Sequence, residues 1–341
     1  MNVGFVGVGA VAQHHLSVIA KHDDVSVVAV CDLDERRALS AARAIGARTH
    51  GDWRSMLQAE RLDAVFVCTP PEAHAEPAVA ALESGVSVYV EKPLARTMED
   101  GLAIVSAWGE SGLVGAVGYQ WRSLDLLSDV HAALNGRSPG MLMSRSIGPT
   151  EPARGDLDAS GPGGGDRWFA DPRRGGGILF ELGSHDIDLQ LEIAGPVDSV
   201  QAVAASGLLA LAGQPATGLH DSVAALLRFS SGGLGVIQVA WTDAQNPPLY
   251  TLDVLAAGLA LQLELDPVFR LRGRTESGEI SAMGITNPRE STLAQFFDAV
   301  RRHETGGVGC SPADALSTLQ VALACERAIA TGDCIALAEV T

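Results

Sequence analysis

Small residues near the start of the chain are spaced as in a turn that binds a dinucleotide. Gly7, Gly9 and Ala12 form a G-x-G-x-x-A pattern directly after an apolar run. In such a turn the first glycine permits a tight bend, the second lets the backbone approach a pyrophosphate, and the alanine lets helix and strand pack closely. The pyrophosphate then binds at the positive end of the helix that begins near Ala10.

Asp32 strengthens this interpretation and indicates which dinucleotide binds. It ends a second apolar run about twenty residues after the glycines, where its carboxylate can accept hydrogen bonds from the ribose hydroxyls of the adenosine half. The same carboxylate repels a 2′-phosphate, so the pattern favours NAD over NADP. Arg36 and Arg37 are the counter-argument, since either could reach such a phosphate. Small residues at strand-to-helix turns also occur for packing alone, so the glycines carry the prediction only together with Asp32.

The first half of the chain alternates apolar runs with helical patterns. Residues 62–68, 86–90 and 114–119 are predicted strands, helices are predicted over residues 34–45 and 73–84, and a further helix is predicted to begin at Thr97. Continuous apolar runs of this kind are typical of strands buried on both faces of a parallel sheet. The alternation predicts a doubly wound parallel sheet, an α/β fold whose ligands bind at the carboxyl ends of the strands.

The second half of the chain is richer in strands. Short turns leave no room for crossover helices, which predicts a mainly antiparallel sheet. A loop rich in Gly, Pro, Asp and Ser over residues 150–166 is long enough to be a lid over a site. The chain is therefore divided into residues 1–122, a dinucleotide-binding domain, and residues 123–341, a second α/β domain. The predicted strands of the second domain are residues 141–147, 197–205, 222–230, 234–242, 250–256 and 259–265, and its closing helices are residues 293–302 and 313–330.

Composition and charge argue against several classes of function. The 341 residues suit two domains, and the net charge of −17 repels the phosphates of nucleic acids and of anionic membranes. The amino-terminal segment does not resemble a signal peptide, because glycines interrupt its apolar run. The five cysteines are odd in number and never spaced as C-x-x-C, which indicates buried thiols. These features predict a cytoplasmic protein without nucleic-acid or membrane partners.

Five segments of the chain, taken in order, resemble the family of glucose–fructose oxidoreductase, inositol dehydrogenase and rhizopine-catabolism proteins, abbreviated Gfo/Idh/MocA. The resemblance implies an amino-terminal Rossmann domain and a carboxy-terminal α/β domain with an open sheet. The carboxy-terminal domain is implied to bind substrate. The resemblance also implies assembly through that sheet, which we expect to give a homodimer or a homotetramer. The segments are GVGAVA at 7–12, CTPPEAH at 68–74, AALESGVSVYVEKPLA at 80–95, GYQWR at 118–122 and GGGILFELGSHDID at 175–188.

The resemblance also implies the catalytic residues. Lys92 matches the lysine of the family's Glu-Lys-Pro motif, which stabilises negative charge on the reacting oxygen, and its bond to Pro93 is implied to be cis. His185 matches the catalytic histidine. Glu181 lies four residues earlier, on the same face of the predicted helix, where it can orient this base. The family usually has aspartate at that position, so the effect of the longer side chain is open. The alternative for His185 is an ion pair on the helix face, beside Asp186 and Asp188.

Each ligand has an expected set of contacts. The substrate is expected to contact Lys92, Gln120, Arg122, Trp168 and His185. Five arginines near the predicted site either admit an anionic group of the substrate or pair only with local acids; they are Arg122, Arg154, Arg167, Arg173 and Arg174. The residues expected to contact the cofactor are Gly7, Gly9, Ala10, Val11, Asp32, Thr69, Pro70, His74, Glu91 and Lys92.

Three functions are compatible with these residues. The leading hypothesis is hydride transfer between NAD and a secondary alcohol or ketone of a sugar, a cyclitol or a sugar derivative. The family also implies glycosidases that retain NAD and act through transient oxidation and elimination, and ligand-sensing regulators. The presence of both Lys92 and His185 argues against a regulator. We expect no metal, because neither a cysteine nor a second histidine completes a set with His185, Glu181 and Asp188.

Overall fold

The computed structural model describes residues 1–149, 174–208, 220–242 and 249–341, and these residues form two compact units. The first unit contains Met1–Tyr119 and Thr292–Leu316. The second contains residues 120–149, 174–208, 220–242 and 249–291, together with Ser317–Thr341. The first segment of this unit therefore ends at Tyr119 and not at Arg122 as predicted. The unit also contains Thr292–Leu316, which the sequence pattern assigned to the second domain.

The first unit is built on a parallel sheet, in agreement with the predicted fold class. Its strands are β1 (Asn2–Val6), β2 (Ser26–Cys31), β3 (Arg48–His50), β4 (Ala64–Val67), β5 (Ser87–Val90), β6 (Val114–Val117) and the short β15 (Gly306–Gly307). Their order is β15-β6-β5-β4-β1-β2-β3, with every neighbouring pair parallel. The strand order reverses between β1 and β4, and ligands of such sheets bind beside the carboxyl ends of the strands at that point.

Helices connect these strands, and several of them begin at polar caps. Asp34 accepts hydrogen bonds from two backbone N–H groups at the start of the second helix. Thr97 Oγ1 accepts one from the backbone N–H of Asp100, 3.1 Å away, which confirms the predicted start of the fifth helix. Such caps replace hydrogen bonds that the first turn of a helix lacks. The helices are α1 (Ala10–Ile19), α2 (Glu35–Ile45), α3 (Trp53–Ala59), α4 (Ala75–Glu83) and α5 (Met98–Ser111).

An aromatic cluster explains why a late segment belongs to the first unit. Phe66 on β4 stacks between Phe5 and Tyr89, with ring centroids 4.8 Å apart on each side. Phe296, on the helix α8 (Pro288–Arg302), packs its ring edge-on against Phe66 at 5.8 Å, and Phe297 lies beside it. All five rings are fully buried, so this part of α8 completes a core that the earlier strands leave open.

The second unit contains a nine-stranded, mainly antiparallel sheet, as predicted. Its strands are β7 (Met141–Pro149), β8 (Val197–Ala205), β9 (Ser222–Phe229), β10 (Leu234–Thr242), β11 (Leu249–Ala256), β12 (Leu259–Asp266), β13 (Arg270–Thr275), β14 (Gly278–Met283) and β16 (Ile335–Ala336). Their order is β14-β13-β12-β11-β7-β10-β9-β8-β16, and β7 with β10 is the parallel pair among them. The sequence pattern did not predict β13 and β14, because their charged side chains alternate with few apolar ones.

Three helices accompany this sheet: α6 (Leu127–Leu134), α7 (Ser184–Ala194) and α9 (Pro312–Thr331). Buried hydrogen bonds attach α7 to the centre of the sheet. Gln190 Nε2 donates to Ser144 Oγ on β7 at 2.7 Å and to the carbonyl oxygen of Val236 on β10 at 3.0 Å. Within the described ranges, no helix combines the length and the apolar character that crossing a membrane requires.

Candidate functional site

The turn between β1 and α1 has the geometry of a phosphate-binding turn. Gly7 has a φ of +85°, and a Cβ there would lie 2.7 Å from the carbonyl oxygen of Cys68, so only glycine fits. A Cβ at Gly9 would meet no described atom within 4 Å, so the backbone there stays accessible. The first turn of α1 carries no acidic residue and no side-chain cap. Its free N–H groups and positive dipole suit an anion.

Asp32 is held at the end of β2 by both carboxylate oxygens. Oδ2 accepts a hydrogen bond from the backbone N–H of Val8 at 2.9 Å, and Oδ1 accepts one from that of Asp34 at 2.9 Å. The Nη1 of Arg37 lies 3.2 and 3.3 Å from the two oxygens. The structure therefore pairs Asp32 with one of the two arginines that argued against NAD, and both charges lie at the expected adenosine end of the turn.

His74 is buried between two of the loops expected at the cofactor. Its Nε2 lies 2.8 Å from the carbonyl oxygen of Thr69, while its Nδ1 lies 3.0 Å from that of Pro93. Burial lowers the pKa of His74, and the nearby carbonyl oxygens oppose this shift. With only 1% of its surface exposed, His74 joins the loop after β4 to the loop after β5. His74 is therefore placed to hold these two loops together.

Lys92 is the second residue after the end of β5, and its bond to Pro93 is cis, as predicted. The preceding residue, Glu91, is buried, and its Oε2 accepts a hydrogen bond from the backbone N–H of Lys92 at 3.1 Å. Oε1 of the same carboxylate lies 2.5 Å from Nε2 of His15 on α1. The sequence offered no role for His15, and the structure brings it to the motif that contains Lys92.

Glu181 lies in a π-helical turn, Leu179–Gly183, that leads into α7, and His185 is the second residue of that helix. The sequence predicts a continuous α-helix that starts near Gly177, and the π-helical turn interrupts it. Backbone hydrogen bonds in such a turn join residues five apart instead of four, and these turns occur often at functional sites. That Glu181 and His185 share a face stays a prediction. Glu181 and His185 are both half-buried.

Trp121 lies beside His185 in the second unit. The centroids of the two rings are 5.6 Å apart and their planes are inclined by 34°. Tyr250 packs edge-on against the same indole, with the centroids 5.7 Å apart. Trp121 is buried, so it gives one side of the imidazole a rigid apolar neighbour.

Arg122 makes contacts that differ from its expected role as a substrate ligand. Its Nε and Nη2 donate three hydrogen bonds of 2.9 to 3.0 Å to Asp188, and its Nη1 donates one of 2.8 Å to Glu192. Thr318 Oγ1 donates a further bond to Asp188 at 3.0 Å. The guanidinium is 7% exposed. Pairing with acids of its own unit is thus the alternative that these contacts favour for Arg122.

Gln120, another expected substrate ligand, is oriented by an arginine that the sequence did not single out. Nε of Arg289 donates a hydrogen bond of 2.6 Å to Gln120 Oε1. Arg174 is half-buried at the start of a described range. Other predictions lie outside the described residues: the lid over residues 150–166, Trp168 and the arginines Arg154, Arg167 and Arg173.

The carboxyl group of Asp186 on α7 is buried against the sheet. Its environment therefore differs from that of a carboxylate on the surface. Burial raises its pKa to about 7, and hydrogen bonds from Ser146 and Ser144 oppose the shift. Ser146 Oγ lies 3.0 Å from Oδ1, while Oδ2 has no hydrogen-bond partner within the described part of the chain. Ionising the Asp186 carboxyl group in the folded protein therefore costs free energy.

Asp186→Asn is expected to stabilise the protein above neutral pH. Between about pH 4 and 7 the unfolded chain releases this proton while the folded chain keeps it, so stability falls as pH rises and then levels off. Asparagine avoids this loss, which is at most about 4 kcal/mol for a shift of this size. Urea unfolding at pH 4.5 and pH 8 should show a gain in the free energy of unfolding that is several-fold larger at pH 8. Asp333→Asn at an exposed position is the control, and an equal effect at both pH values would contradict the explanation.

The catalytic predictions involve residues of both units. Lys92 belongs to the first unit and His185 and Glu181 to the second, and their joint action stays a prediction. Within the first unit the structure brings Gly7 close to the residues that follow β4 and brings Asp32 to Val8. Across the described ranges, no group of three or more His, Cys, Asp or Glu side chains is arranged to hold a metal ion.

Two models of one protein family match most of the chain. Residues 1–119 match the model described as an oxidoreductase family with an NAD-binding Rossmann fold. Residues 140–257 match the model of the GFO/IDH/MocA C-terminal domain. These ranges contain the phosphate-binding turn, Lys92 and His185, and they agree with the resemblance read from the sequence.

Individual relatives agree with this match to different extents. The chain is 27% identical over 339 residues to 1,5-anhydro-D-fructose reductase of Ensifer adhaerens, covering 96% of each chain. It is 35% identical over 123 residues to 4-carboxy-2-hydroxymuconate-6-semialdehyde dehydrogenase of Sphingobium, covering 36% of this chain and only 39% of that relative. A structure of levoglucosan dehydrogenase with NADH and levoglucosan has a TM-score of 0.83 at 20% identity, covering 99% of each chain, and shares the fold. The chain belongs to the Gfo/Idh/MocA family of oxidoreductases with an NAD-binding Rossmann fold.

Proposed function

We propose that this chain is a nicotinamide-dependent dehydrogenase. It transfers a hydride between NAD and a secondary alcohol or ketone of a sugar, a cyclitol or a sugar derivative. The observation that carries the proposal is the open turn at Gly7 and Gly9, which meets the free N-terminus of α1 while Asp32 is fixed at the end of β2. The names of relatives, among them a reductase of 1,5-anhydro-D-fructose and a D-apiose dehydrogenase, support a carbohydrate substrate.

The residues of this chain divide the chemistry between them. In the oxidation, the imidazole of His185 takes the proton from the reacting hydroxyl, and the ammonium of Lys92 stabilises the negative charge that develops on that oxygen. The hydride from the same carbon passes to the nicotinamide when the cofactor is bound. Glu181 supports the positive charge that His185 gains. The reduction of a ketone follows the same steps in reverse.

The main test is cofactor turnover with a panel of cyclitols, aldoses, uronates and amino sugars. A dehydrogenase converts added NAD to NADH in proportion to substrate, which the near-ultraviolet absorbance of NADH measures. A glycosidase that retains and recycles its cofactor would release sugar without this net conversion. A regulator would bind a sugar and turn over nothing. Either of the last two results would overturn the proposal.

The proposed preference for NAD depends on the pair formed by Asp32 and Arg37. The carboxylate repels a 2′-phosphate, while Arg37 already has a partner in that carboxylate. We expect NADH to bind at least about tenfold more tightly than NADPH, a difference of about 1.4 kcal/mol. Asp32→Ala should reverse the preference, because it removes the repulsion and releases Arg37 for the phosphate. Fluorescence titration measures both affinities, Arg36→Ala is the matched control, and equal or tighter NADPH binding by the unaltered protein would refute the assignment.

We also propose that the chain assembles into a homodimer or homotetramer through the open face of the second sheet. Leu226, Val236 and Met143 are register neighbours on β9, β10 and β7, and all three are at least partly exposed. Val203 on β8 is 69% exposed. Apolar side chains in such a row favour burial against a second copy. Sedimentation equilibrium should give a molecular mass two or four times the 35.4 kDa of the chain. The cytoplasmic location of the protein stays a prediction.

A further inference from the structure

His15 is a buried polar residue without a role in the chemistry described so far. It lies on the inner side of α1, the helix whose N-terminus forms the phosphate-binding turn, and 1% of its surface is exposed. Its ring packs against Phe66 at 5.6 Å and against Tyr89 at 5.3 Å between centroids. A polar ring among aromatic side chains costs free energy unless it is hydrogen-bonded. The imidazole of His15 therefore needs a hydrogen-bond partner.

That partner is the carboxylate of Glu91 at the end of β5. His15 Nε2 lies 2.5 Å from Oε1, while Oε2 accepts the backbone N–H of Lys92 at 3.1 Å. Gly118 leaves room for the carboxylate, since a Cβ there would lie 3.1 Å from both oxygens. One buried side chain thus joins α1 to the backbone of the residue that carries the proposed catalytic ammonium.

The other side of the same loop is held by His74. Its Nδ1 lies 3.0 Å from the carbonyl oxygen of Pro93 and 3.3 Å from that of Leu94. The segment 91–94 is therefore fixed by two buried histidines, one through Glu91 and one through backbone carbonyls. Neither histidine is exposed enough to donate to a ligand in solvent, so their effect on the reaction passes through the position of Lys92.

We propose that His15 is a positioning residue that fixes Lys92 relative to the cofactor-binding helix through Glu91. The proposal rests on the proposed function, in which Lys92 stabilises the reacting oxygen. A donor aimed at a developing charge acts only at hydrogen-bond distance, and a displacement of about 1 Å costs on the order of a hundredfold in rate. The hydrogen bond from His15 restricts such displacement at the moment when α1 holds the cofactor.

His15→Leu removes the hydrogen-bond partner of Glu91 and leaves an apolar side chain in its place. His15→Gln introduces an amide that can donate to Glu91. We expect His15→Leu to lower kcat by about ten- to a hundredfold, with KM and the NADH dissociation constant changed by less than about threefold. His15→Gln should recover most of that loss. His14→Leu, at the exposed neighbouring position, is the matched control and should behave as the unaltered enzyme.

A second readout does not need a substrate. Amide hydrogen exchange of the peptide covering residues 91–96 should accelerate by at least about tenfold in His15→Leu, while the peptide covering β1 stays unchanged, because local opening raises exchange only where contacts are lost. If His15→Leu fails to fold, Glu91→Gln replaces it. That variant keeps the side-chain volume and replaces the charged acceptor with a neutral amide, which weakens the hydrogen bonds to His15 and to the backbone of Lys92, so we expect a loss of kcat of about tenfold.

The outcomes separate this inference from the proposed function. Normal kcat and normal exchange in His15→Leu, or normal kcat in Glu91→Gln, would overturn the positioning role. So would a loss of kcat that His15→Gln fails to recover. Lys92→Met is the reference: if it retains turnover on a substrate from the panel, the proposed function itself fails, whatever His15 does. A large loss in Lys92→Met beside normal His15 variants would leave the function intact and reject only the positioning role.

Discussion

Replacing His185 with alanine is expected to lower kcat by about a hundred- to ten-thousand-fold, the range typical of a residue that transfers a proton in the transition state. NADH should still bind, because the side chain acts on the reacting hydroxyl and not on the adenosine half of the cofactor. Trp121, which packs 5.6 Å from the imidazole, should keep the surrounding structure in place. The measurement is kcat on a substrate from the panel, together with fluorescence titration of NADH.

Variants at Glu181 and Lys92 are the controls for this prediction. Lys92→Ala should cause a loss of similar size, since it removes the charge that stabilises the oxygen. Glu181→Gln should lose less, because the base itself remains. Glu181→Asp restores the residue usual in the family, and near-normal activity would mean that the reach of this side chain is not critical. If His185→Ala retains most of its turnover, an ion pair becomes the better explanation for His185.

Asp188→Ala is expected to destabilise the second unit by about 3–5 kcal/mol, the cost of leaving a buried charge without its partner. Asp188 accepts three hydrogen bonds from Arg122 and one from Thr318 on α9, and Arg122 is 7% exposed. The guanidinium would keep its hydrogen bond to Glu192, which is more exposed than Asp188. Urea unfolding followed by circular dichroism measures the loss.

Glu192→Gln is the matched control for this ion pair. Glu192 is 33% exposed and contributes one hydrogen bond to Arg122, so water can replace it and the loss should stay below about 1 kcal/mol. A loss in Asp188→Ala no larger than that of the control would mean that the pair does not stabilise the fold. A large loss would support a structural role for Arg122 within its unit.

The parallel sheet could be predicted because its signals are local. β4 is a run of fully buried residues, and Gly7 and Asp32 mark the two strand ends on either side of α1. Asp34 and Thr97 cap helices at the predicted positions. In each case a residue's own conformation or polarity fixes the element, so no knowledge of distant contacts is needed.

The parts that could not be predicted depend on contacts between distant segments. His15 and Glu91 are 76 positions apart, and nothing in the spacing relates them. The π-helical turn at Glu181 has no distinct apolar period, so its residues resemble those of an α-helix. β13 is joined to β12 by pairs such as Arg270 with Glu264, which resemble an ordinary solvated surface in the sequence.

The return of Thr292–Leu316 to the first unit affects how the protein folds during synthesis. Phe296 and Phe297 emerge from the ribosome about 180 residues after Tyr119, which at about 5–20 residues per second is a delay of roughly 9 to 36 s. For that interval Phe66 and Tyr89 lack their final cover, and the nascent strands expose an apolar surface that chaperones recognise. A gene fragment that stops near residue 122 would produce the nucleotide-binding strands permanently in this uncovered form, so the cofactor half is expected to be recovered in soluble form only when α8 is joined to it.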